Sequence, residues 1–197
     1  GLLINRLVGI ACEGIGRIVM VKLVPQLNCE QSRPVIAELE QIDRTRVTWD
    51  EIRQNEKLFV RHQVSQYGNP IALIRDLWEA RSTSTKAADK HLKSVARLRL
   101  LATELALRCF QSEQGRVPEK LEDLVPKYLQ RVPLDPFSNQ LLIYRPQGTN
   151  WLCYSVAMDR VDDGGKPLKR SASGKDAGLF VEDSGPETGD LVFDSPW

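Results

Sequence analysis

Histidine is nearly absent from this chain, and so are most of the patterns that mark a chemical site. His62 and His91 are the only two histidines in 197 residues, and the four cysteines, Cys12, Cys29, Cys109 and Cys153, include no CxxC pair. That argues against a zinc ribbon or finger. Scattered single cysteines read as buried apolar fillers, although an even number permits disulfides in an oxidising compartment. Ser155 has no Gly-x-Ser-x-Gly elbow around it. Gly14-Ile15-Gly16 sits inside an apolar helical pattern with no strand before it, so it is no phosphate loop. A surplus of charge is missing too: 27 basic and 26 acidic residues leave a net charge of +1, with no basic footprint for nucleic acid or an anionic membrane.

Nor is there an unbroken apolar run. Residues 2–24 are rich in Leu, Ile and Val, but Arg6, Glu13, Arg17 and Lys22 interrupt them, each expensive in hydrocarbon. Arg6, Glu13 and Arg17 fall on one helical face. The segment therefore reads as a helix packed on nearly all sides with one wet stripe, not as a membrane span. Because the chain opens on Gly1, it is expected to be a processed or engineered fragment, from which any export signal would already have been removed.

What is present is globular. A content of 42% hydrophobic and 27% charged residues over this length supports a folded core. Residues 1–85 read as a helical region. Pro34 suits a first helical position, and Val35, Ile36, Leu39 and Ile42 follow at helical spacing. Thr48-Trp49-Asp50-Glu51 is a capping box, after which Ile52, Phe59, Val60 and Gln63 share a side until Tyr67-Gly68-Asn69-Pro70 stops the helix. A short helix over residues 71–80 and a polar linker over residues 81–85 are expected next.

Residues 86–197 form the second expected domain. A long helix begins near Lys86, with Val95, Leu98, Leu101 or Ala102, Leu105 and Cys109 in one stripe, widened by Leu100, Leu107 and Phe110. Gly115 closes it. Strands are expected over residues 141–145, 151–156 and 191–193, with a turn at 146–150 and a long loop over 164–189. The fold class is α+β: a long helix covering the apolar face of a small three- or four-stranded antiparallel sheet. Glu119, Glu122 and Asp123 sit on a first helical turn, where acids suit the helix dipole rather than catalysis. Trp49, Trp78, Trp151 and Trp197 are too dispersed for a binding platform.

One ordered series carries more. After the long helix come Gln114-Gly115-Arg116-Val117-Pro118, then Leu121, Leu124, Val125-Pro126, Tyr128-Leu129, Val132-Pro133 and Asp135-Pro136-Phe137. Tyr144, Tyr154-Ser155, Asp159, Asp162-Asp163-Gly164-Gly165, Gly189-Asp190-Leu191 and Trp197 continue it. This half of the chain resembles the globular head of type II secretion major pseudopilins. The combination with charged amphipathic helices is similar to proteins met in planctomycete-like bacteria that carry this head on a helical N-terminal region. The family's glycine near the loop is Ala157 here, and the insert between Gly165 and Gly189 is longer than the family pattern.

The resemblance implies a calcium site, with Asp159, Asp162, Asp163 and Asp190 as the carboxylates and backbone carbonyls around residues 155–160 completing it. The chemistry is coherent, because calcium takes about six to eight oxygens and a glycine-bearing aspartate loop can supply them. The spacing is not that of an EF-hand. The competing reading is a solvated turn balanced by Arg160 and Lys166. The expected role is a non-enzymatic cell-envelope structural or protein-interaction module. Its apolar first helix would dock a protein partner or a missing N-terminal part of the same chain, in an extracytoplasmic setting by family analogy. The alternative is a calcium-dependent hydrolase or binding domain for an extracellular polymer.

Overall fold

A computed structural model describes residues 2–67, 70–168 and 188–193. Four helices come first: α1 (Leu2–Leu23), α2 (Cys29–Thr45), α3 (Trp49–Tyr67) and α4 (Pro70–Gln114). A single antiparallel sheet follows, built from β1 (Ile143–Gln147), β2 (Asn150–Ser155) and β3 (Leu191–Val192) in the order β1-β2-β3. The fold is α+β. The chain divides into two compact units, one of Gly1–Gln26 with Gln41–Val95 and one of Leu27–Glu40 with Ala96–Trp197. The division therefore runs through α2 and α4 rather than through a loop.

Local chemistry sets the helix starts. Asn28 Oδ1 accepts the Gln31 amide at 2.8 Å while Gln31 Oε1 accepts the Asn28 amide at 3.1 Å, a reciprocal cap that begins α2 at Cys29. Pro34 consequently lies inside α2 and not at its first position. The Thr48–Glu51 box forms as the sequence suggests, with the Thr48 amide on Glu51 Oε2 at 2.8 Å and the Glu51 amide on Thr48 Oγ1 at 3.3 Å. The polar run at residues 81–85 is helical, and the expected short helix over 71–80 is the first part of the same 45-residue α4. Ser and Thr cost less than about 0.7 kcal/mol each relative to Ala in a helix, and no Gly or Pro stands there to stop it.

In the second unit, α4 from Ala96 onward is buried on more than one side. Leu100, Leu105, Ala106 and Leu107 are sealed, as are Leu121, Leu124 and Leu129 of the segment that follows. The sheet supplies Cys153, Tyr154 and Leu191 to this core, and the residues flanking it add Leu142 and Val156. Trp151 donates its indole N–H to Glu104 Oε2 at 2.8 Å, which ties β2 to α4. The β1–β2 connection is tighter than expected, because Gln147 pairs directly with Asn150 and leaves a two-residue loop. Gly148 takes φ 65 there, a first-position requirement that glycine meets without strain.

Residues 166–168 run beside the entry to β3. The Asp190 amide donates to the Lys166 carbonyl at 2.7 Å and the Leu168 amide to the Asp190 carbonyl at 3.1 Å. Gly189 has φ 110, and a Cβ there would lie 2.9 Å from the Pro167 carbonyl, so only glycine fits. Most of the expected 164–189 loop, the helix stop at Gly68 and Asn69, and Trp197 lie outside the described residues.

Candidate functional site

The aspartate loop is held by its own protein contacts. Asp162 Oδ1 accepts the Tyr154 hydroxyl at 2.6 Å and the Gly164 amide at 2.9 Å, and its Oδ2 accepts the Arg145 guanidinium at 2.8 Å. The Tyr154 hydrogen bond, then the Gly164 amide and Arg145, hold the Asp162 carboxyl below its ordinary value. Asp159 accepts the Val161 amide at 3.1 Å through Oδ1 and the Gly189 amide at 3.3 Å through Oδ2. Asp190 is buried and accepts the Gly165 amide at 2.7 Å through Oδ2, while its Oδ1 meets no hydrogen-bond partner among the described residues. Burial is the largest cause raising the Asp190 carboxyl, and the charges of Asp162 and Asp163 push the same way. Ala157 has φ 54, a left-handed conformation that glycine adopts without cost.

The four aspartates therefore gather around one loop, but their oxygens do not form a cage. Among the described residues no three His, Cys, Asp or Glu side chains make a metal-binding group.

Sequence reasoning missed the side chain that organises this end of the unit. Asp135 is buried and accepts the Phe137 amide, the Ser155 hydroxyl and the Val156 amide, each at 2.9 Å. It fastens the Asp-Pro-Phe turn to the end of β2. An aspartate before proline reads as turn chemistry in sequence, and nothing there signals its burial. Asp123 behaves as expected of a first-turn acid, its Oδ2 accepting the Glu119 amide at 3.0 Å and the Lys120 amide at 3.3 Å.

No family model, curated protein or solved structure matches the chain. Geometry distinguishes the two units.

In the first unit that geometry reverses an expectation. The Arg6–Glu13 face of α1 is not a wet stripe. Arg6 turns inward to meet Arg46, their side chains 13% and 6% exposed, while Glu13 between them keeps 32%. Arg6 donates to Glu13 Oε1 at 2.8 Å, to His91 Nδ1 at 2.9 Å and to Ser94 Oγ at 3.3 Å. Arg46 reaches Glu13 Oε2 at 3.1 Å, and the Ser94 hydroxyl also donates to that oxygen. Burial works against the Glu13 carboxylate, but the Arg6 and Ser94 hydrogen bonds and both guanidinium charges outweigh it and hold its carboxyl below the ordinary value. His91 is buried beside Trp49, with ring centroids 5.7 Å apart. Burial first, then Arg6 and Arg46, lowers His91 to about 4.

The opposite face of α1 is apolar and open to solvent. Ile4, Val8, Ile15 and Val19 are 64%, 58%, 57% and 54% exposed, with Ile18 and Leu23 beside them. A helix normally turns such a stripe toward the core and its charges outward; α1 does the reverse. Among the described residues no helix is long and apolar enough to cross a membrane. In the second unit, a cleft of about 180 Å³ between α2 and residues 126–130 is smaller than the roughly 300–1,000 Å³ usual for a small-molecule site.

Proposed function

We propose that this chain is a non-enzymatic structural or interaction module of the cell envelope that docks a partner protein's apolar helix on α1. The exposed stripe of α1 carries this reading. Ile4, Val8, Ala11, Ile15 and Ile18 succeed one another at intervals of four, three, four and three, the spacing of a coiled-coil seam. The enclosed Arg6 and the half-buried Glu13 on the other face meet Arg46 and favour this side of α1 as the one presented, since turning the stripe inward would break those pairings. Covering six half-exposed aliphatic side chains returns about 1 kcal/mol each. That is comparable to the lower estimates for the cost of association, about 4 kcal/mol, so the partner must bring a matching apolar face. The envelope setting rests on the pseudopilin-like half of the sequence, a weaker support.

Light scattering and binding of a hydrophobic dye test this. A mass of one chain with no dye bound overturns it. A mass of two chains makes the partner a second copy. A monomer that binds dye, and loses it when Val8→Glu and Ile15→Glu are combined, leaves a different protein or a missing segment of the same chain as the occupant. Because both positions are exposed, the double variant should keep its melting temperature within a few degrees.

One observation favours a second property, calcium binding at the aspartate loop: the buried Asp190 Oδ1 has no hydrogen-bond partner among the described residues. Thermal melts in chelator, in millimolar magnesium and in millimolar calcium decide it. Saturation at one hundred times the dissociation constant adds about 2.7 kcal/mol, a rise of several degrees that Asp163→Ala should abolish. No shift with calcium removes the site.

A further inference from the structure

Cys29 and Cys109 are separated by 80 residues in sequence and meet in the second unit. The Cys109 thiol lies 3.7 Å from the carbonyl oxygen of Cys29. The Asn28–Gln31 cap makes Cys29 the first residue of α2 and holds it against the Cys109–Glu113 face of α4. The Cys29 thiol is partly exposed and donates to Glu113 Oε1 at 3.2 Å. Glu113 also receives Arg33 at 2.8 Å and the Tyr128 hydroxyl at 2.9 Å, so it keeps partners if Cys29 turns away. Both sulfurs are free thiols.

We propose that Cys29 and Cys109 are a thiol pair that oxidises to an intrachain disulfide, fastening the first turn of α2 to α4. The oxidant is a small disulfide such as glutathione disulfide. The Cys29 thiolate attacks one glutathione sulfur, forming a mixed disulfide and releasing one glutathione thiolate. Cys109 then gives up its proton and attacks the Cys29 sulfur, breaking the mixed disulfide and releasing the second glutathione. Two thiols are oxidised and one disulfide is reduced.

The order follows from position. Cys29 is the sulfur a solute can reach, while Cys109 is buried. Burial, and after it the neighbouring Cys29 thiol, pushes Cys109 up to about 12. The influence of Cys29 as an ionisable neighbour disappears once its sulfur is held in the mixed disulfide, which eases the second step.

The test uses the full chain, reduced and then incubated with glutathione disulfide, alkylated and mapped by mass spectrometry without reductant. The expected result is a peptide pair joined through Cys29 and Cys109, an intact mass lower by about 2 Da, and recovery of both thiols on adding dithiothreitol. Cys109→Ser should stop at a glutathione adduct on Cys29. A stable glutathione adduct on Cys29 in the unaltered chain overturns the proposal, as do two thiols left free, or a link from either residue to Cys12 or Cys153. Mapping the unaltered chain decides the matter even where a variant fails to fold.

Discussion

His91 and Asp135 are each defined by groups that only the fold brings to them. His91 Nδ1 accepts a hydrogen bond from Arg6, so the ring is neutral and carries its proton on Nε2. Protonating it would set a cation against Arg6 and Arg46, an effect the Glu13 charge offsets only in part, with Trp49 across the ring. The folded chain takes up this proton near pH 4 and the unfolded chain near 6.5. Stability is therefore indifferent to this group above pH 6.5 and falls as pH drops from 6.5 to 4, where the loss is complete. Urea midpoints across that window should decline, and His91→Gln should remove that share of the slope. Glu13, whose carboxyl is depressed, adds a separate loss at lower pH, beneath the ordinary carboxylate value of 4.5.

Asp135→Ala leaves two amides and a hydroxyl unpaired in the core at once. At about 1–3 kcal/mol for each orphaned donor, the variant should lose about 3 kcal/mol or more. Asp135→Asn, which keeps one acceptor oxygen, should lose less. Urea unfolding followed by circular dichroism measures both.

Among elements, legibility in the sequence tracked how local the cause was. The α3 cap needs only Thr48 and Glu51, and it was readable. The buried stripe of α4 was readable from spacing, including Leu105 and Cys109. The strands were located within a few residues, because hairpin chemistry at Gly148 is equally local. The polar run at residues 81–85 misled, since a stretch of weak helix formers differs from a breaker only by its surroundings. The side that α1 turns inward was out of reach. Hydropathy identifies which residues avoid water; it does not say whether Arg6 and Glu13 find Arg46, His91 and Ser94 waiting for them.

For the whole molecule, the limit was contiguity. The sequence suggests a helical piece followed by a head, yet the compact unit that holds the sheet also recruits Leu27–Glu40 from the helical half. That recruitment is what brings Cys29 to Cys109 and Arg33 to Glu113. Neither pairing has any signature in the intervening eighty residues. The aspartate loop shows the converse. Its residues were all named from the sequence, and the structure gathers them, but Arg145 and Tyr154 occupy Asp162 in ways the spacing of acids could not announce.

The inverted polarity of α1 separates two kinds of constraint that usually coincide. In most helices the aliphatic positions are the ones that folding protects and the charged positions are free to vary. In α1, a selection for folding alone would tolerate polar residues at Ile4, Val8, Ile15 and Val19 and reject changes at Arg6 and Glu13. A selection for the docked state would protect both sets. The difference between the two tolerance maps, position by position along one helix, would outline the footprint of the partner proposed for α1.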